Sequence, residues 1–125
     1  KYYFIDNGVL NLFLLGGETM LLENTVALAL FQRYGHDRDN ERIFFYNEKV
    51  EVDFYVPEDE LAIQVSYSVT QSPETFDREV KALKKLPNVL SCKRRLILTN
   101  DESGKIDDEF GSIEIIPVWK WLLQA

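Results

Sequence analysis

The chain has 125 residues and net charge −7, enough for one domain that buries roughly two-thirds of the surface its unfolded form would expose. Its 21 acidic residues against 14 basic ones work against non-specific attraction to a polyanion, and no apolar run approaches the about 20 residues of a membrane-spanning helix. The single cysteine, Cys92, excludes an internal disulfide and fits a reducing, cytoplasmic compartment. The start at Lys1, directly into apolar residues and with Met20 as the only methionine, reads as a fragment of a longer protein.

Residues 1–6 (KYYFID) are aromatic and apolar enough for a strand, and Asp6-Asn7-Gly8 is a turn signal. Residues 9–15 form an apolar run of undecided type, broken by Gly16-Gly17. From 20 to 34 the spacing predicts a helix closed by Gly35. Asn24, Thr25 and Gln32 form its polar arc, whereas Glu23 projects near Ala27, Leu30 and Tyr34. Leaving that carboxylate buried and unpaired is costly, so Glu23 either finds a donor, cation or metal in the next layer or sits at a fraying start favoured by the helix dipole. His36, in the polar connection 36–42, has no ligand-spaced His or Cys and reads as a loop residue.

A strand is expected at 43–46, then a turn at 47–49 and a hairpin over 50–66 (VEVDFYVPEDELAIQVS). Two alternating runs flank Pro57-Glu58-Asp59-Glu60. Val50, Val52, Phe54 and Val56 share one face, and Glu51, Asp53 and Tyr55 the other. If Val56 pairs with Leu61, Asp53 lies opposite Gln64 and Glu51 opposite Ser66, with side chains about 5 Å apart at Cβ. The second strand extends as far as Val69. Ser72 and Pro73 then open a helix whose apolar stripe is Phe76, Val80, Leu83 and Leu86, ended by Pro87-Asn88.

Residues 96–99 (LILT) read as a strand covered on both faces, 100–111 as a mobile acidic loop, 113–116 as a further strand, and 117–123 as a terminal helix opened by Pro117 and anchored by Trp119 and Trp121. A nucleic-acid binder would gather Lys81, Lys84, Lys85, Lys93, Arg94 and Arg95 on one face. The ordinary reading is a solvated helix end and a charged strand entrance. The order helix, three strands, helix, strand, strand, helix favours an α/β (α+β) domain over 1–125, with a mixed central sheet flanked by helices.

A helix Glu, a Glu-x-Asp strand and a polar triplet on the next strand, in an αβββαβ order with an extra terminal strand and helix, resemble the PD-(D/E)XK nuclease-like (restriction-endonuclease-like) superfamily. The runs KYYFIDNG, LLENTVALALFQRYG, VEVDFYV, LAIQVSYS and IPVWKWLL look more narrowly like the C-terminal domain of unassigned role found in bacterial and archaeal AAA-type ATPases. That likeness implies an N-terminal ATPase domain, which would bind ATP and be a partner of this one. The fragment itself has no phosphate-binding Gly-x-x-x-x-Gly-Lys-Ser/Thr run. In active superfamily members a helix Glu, a strand Asp and the Glu of Glu-x-Lys hold Mg²⁺, and the Lys helps activate water. The resemblance puts Glu23 and Asp53 in the first two places, Gln64 in the third and Ser66 in the lysine's. A neutral amide is a weaker Mg²⁺ ligand and a hydroxyl cannot act as the cation, so the expectation is a degenerate, inactive site in a binding or regulatory module with a protein partner or a second copy. The alternative is a Mg²⁺- or Mn²⁺-dependent DNA nuclease in which Lys49, Glu51 and Asp53 rebuild the set. A third reading treats Glu23, Asp53 and Gln64 as a satisfied polar cluster pinning helix to sheet.

Overall fold

A computed structural model describes residues 18–34, 44–46, 51–68 and 73–124. The expectations for residues 1–17, Gly35, His36, Lys49 and Ser72 lie outside the described residues.

The first helix, α1, spans Glu18–Tyr34 and buries Val26, Ala27 and Leu30. Asn24 departs from the expected polar arc: it is buried too, and its Oδ1 has no hydrogen-bond partner. The strands that follow are β1 (Phe44–Tyr46), β2 (Val52–Val56) and β3 (Leu61–Val65). Helix α2 (Pro73–Lys85) starts with Pro at its first position and Glu74 in its first turn, and ends with Lys84 and Lys85, charges that complement its dipole. A 3₁₀ turn, Leu86–Asn88, leads to β4 (Arg94–Thr99), β5 (Gly104–Asp108), β6 (Gly111–Pro117) and α3 (Val118–Leu122).

The sheet is mixed, with six strands in the order β1-β2-β3-β4-β6-β5. Strands β3, β4 and β6 run parallel, and the other pairs are antiparallel. The α2 crossover joins β3 to its parallel neighbour β4. Both faces are covered. Phe54, Ile63, Leu96, Leu98 and Trp121 pack with α1 and α3, while Ala62, Ile97 and Ile113 pack with Val80 and Leu83 of α2. Burial on both faces explains why LILT does not alternate.

Three further features depart from expectation. The acidic tract contains β5, paired antiparallel with β6 from Gly104–Ile115 to Asp108–Gly111. It is held there because Asp108 receives two 2.6 Å bonds from the buried Arg95 guanidinium, which also donates to Leu83 O. Arg95 is thereby withdrawn from any basic surface patch. Strand β3 ends at Val65, although Ser66 N–H still donates to Leu98 O at 2.9 Å. Finally, Val52 packs with the α2 cluster whereas Phe54 and Val56 pack with the α1 cluster. The β1–β2 register supplies the reason. Phe44 pairs with Tyr55 but Tyr46 with Val52, so an extra β2 residue is inserted and the strand turns over at Asp53.

Candidate functional site

The β2–β3 ladder runs Val56–Leu61, Tyr55–Ala62, Phe54–Ile63, which is the register expected from the four-residue turn. At the turn Glu60 N–H donates to Pro57 O and Glu60 adopts φ 50°, a left-handed conformation that closes the hairpin. Beyond Phe54–Ile63 the backbones stop pairing with each other, and side chains take over. Gln64 Oε1 accepts from Asp53 N–H at 2.9 Å, and Gln64 Nε2 donates to Glu51 O at 3.1 Å. In return, Asp53 Oδ2 accepts from Val65 N–H at 2.8 Å. The amide and the carboxylate thus stand in for ladder bonds where the bulge opens the strands. Buried backbone groups need partners, and these side chains provide them.

Around this opening lies a cleft of about 650 Å³, walled by Glu51, Asp53 and Gln64 on the sheet side and by Arg78, Glu79 and Lys85 among others on α2. Glu51 is exposed, Ser66 is buried at the end of β3, and Lys49 lies outside the described residues. Glu23, half-buried on α1, lies within electrostatic reach of Asp53. Burial, reinforced by the Asp53 charge, pushes its carboxyl up to about 7. Burial likewise raises Asp53 to about 6, with the Val65 N–H bond pulling it down, Glu51 pushing it up and Arg78 opposing.

The structure adds a residue that the sequence reading missed. Glu79 Oε2 is buried without a hydrogen-bond partner. Burial raises Glu79 to about 8, helped by the Asp53 and Glu23 charges and opposed by Arg78. Its spacing carries the signal. Glu79 is three residues after Phe76 and four before Leu83, on the apolar side of α2, just as Glu23 sits on the apolar side of α1.

These residues do not fit a Mg²⁺ ion as they stand. Mg²⁺ needs several hard oxygen ligands in near-octahedral array. Gln64 Oε1 and Asp53 Oδ2 each already accept a backbone N–H. Among the described residues no three His, Cys, Asp or Glu side chains are grouped to hold a metal ion. Chemically, the arrangement can hold protons and fix a strand opening. Among the described residues no helix is long and apolar enough to cross a membrane.

Comparison with known proteins found no matching solved structure. An uncharacterized protein of Methanocaldococcus jannaschii, MJ1544, is 37% identical over 111 residues, which cover 82% of this chain and 24% of that protein. The chain therefore spans about a quarter of the length of this relative. The model of a domain of unknown function, DUF4143, matches residues 18–121, from the start of α1 into α3, and the chain belongs to that family.

Proposed function

We propose that this chain is a nuclease-like domain without catalytic activity, acting as a binding and regulatory module on an AAA-type ATPase in the cytoplasm. The observation that carries the reading is the state of Gln64. Where the resemblance calls for a metal-binding carboxylate, an amide accepts from Asp53 N–H and donates to Glu51 O. Where it calls for a lysine, Ser66 is buried at the strand end. The M. jannaschii relative is about four times as long as the matched region, which leaves room for a nucleotide-binding domain. ATP would be bound there, and that domain is the first partner the reading implies.

The test is a plasmid-nicking assay with Mn²⁺ or Mg²⁺. The expected result is no cutting above the level of the Asp53→Ala variant. Nicking by the unaltered chain that vanishes in both Asp53→Ala and Lys49→Ala would establish the metal-dependent nuclease instead.

A further inference from the structure

We propose that the outer edge of β5 pairs with the β5 edge of a second copy of this chain, antiparallel and centred on Ile106, joining two sheets across a two-fold axis. Strand β5 ends the sheet order, so one edge of its backbone pairs with β6 and, among the described residues, no strand covers the other. Such an edge offers a row of unpaired N–H and C=O groups, and proteins usually protect it with charge. Here the charge is patterned. Lys105 and Asp107 lie on one face, side by side at 3.7 Å and largely exposed, and Ile106 between them faces the α2 cluster.

A two-fold axis at Ile106 sets Lys105 of each copy opposite Asp107 of the other, twice, and Gly104 opposite Asp108, where no side chain crowds the Arg95–Asp108 pair. A shift of two residues in either direction places Lys105 on Lys105 or Asp107 on Asp107 at the axis. A shift of one residue turns the charged faces away from each other. Of these antiparallel alignments, the one centred on Ile106 pairs opposite charges, which is the self-complementarity an isologous contact requires. The pairing is independent of whether the cleft cuts nucleic acid. Because β5 has five residues, the contact is small and the dimer is weak, forming in the micromolar range.

Sedimentation velocity on the chain between about 5 and 500 µM, in about 0.15 M salt to screen the −7 charge of each copy, reads the association. Lys105→Glu and Asp107→Lys each set like charges across the axis and are expected to weaken dimerisation about tenfold or more. The double variant K105E/D107K restores opposite charges and is expected to restore the dimer. The proposal is overturned by a chain that stays monomeric to 500 µM, by a dimer indifferent to both single variants, or by a double variant that associates no better than the singles.

Discussion

Replacing Gln64 by Glu exchanges one amide nitrogen for oxygen and tests the strand clip with almost no change in shape. In its protonated form the introduced carboxyl can reproduce both bonds, donating its O–H to Glu51 O and accepting from Asp53 N–H. In its ionised form it cannot donate. It then leaves Glu51 O unpaired and puts a second charge beside Asp53 at a site that is 3% exposed. Burial and Asp53 therefore hold the folded value of the new carboxyl above its ordinary value near ~4.3. A folded value above the unfolded one means that the native state binds more protons, so stability falls as pH rises through that window. At ~1.4 kcal/mol per pH unit, the variant should be within about 1 kcal/mol of the parent at pH 5 and lose up to about 3.5 kcal/mol more by pH 7.5. For a domain of this size that difference lowers Tm by about 10 °C. Thermal unfolding of both proteins at the two pH values measures it. A Gln64→Glu variant that matches the parent at both would refute the clip.

The parent chain should itself lose stability between about pH 5 and 8, because the folded values of Asp53, Glu23 and Glu79, near 6, 7 and 8, lie above their ordinary ones. Urea unfolding should show that slope, and Glu79→Gln should flatten it by up to ~1.4 kcal/mol per pH unit, one proton's worth. Asp108→Ala strands the buried Arg95 guanidinium with only Leu83 O and should cost ~3–5 kcal/mol in the same assay, while Arg95→Met combined with Asp108→Leu should recover much of the loss. Arg33 lies 4.3 Å from the Trp121 ring centroid and donates to Trp121 O, so Arg33→Ala should cost about 1 kcal/mol and Trp121→Ala ~3–5 kcal/mol.

The hairpin is legible because alternation and turn length together leave one register, and the structure keeps it at Val56–Leu61. The pairing of Asp53 with Gln64 follows from that arithmetic. The bulge does not, since Val52, Phe54 and Val56 alternate without interruption and the extra residue shows only against β1. Strand β5 is hidden by composition. Its sequence, GKIDD, has one apolar residue, and Arg95 from β4 fixes it through a contact far from the local pattern. Asn24 defeats the pattern because its residue type groups it with Thr25 and Gln32 in a polar arc, whereas the helix turns it inward. Glu79 is readable in principle. The rule that singles out Glu23, a carboxylate on an apolar helix face, applies to it equally.

Isothermal titration of the chain with Mn²⁺ near pH 7.5 addresses the central claim most directly, since the site is read as a strand clip rather than a metal centre. The expected trace shows only heats of dilution, identical in the parent and in Asp53→Ala. Saturable binding at about one ion per chain, abolished by Asp53→Ala, would contradict it.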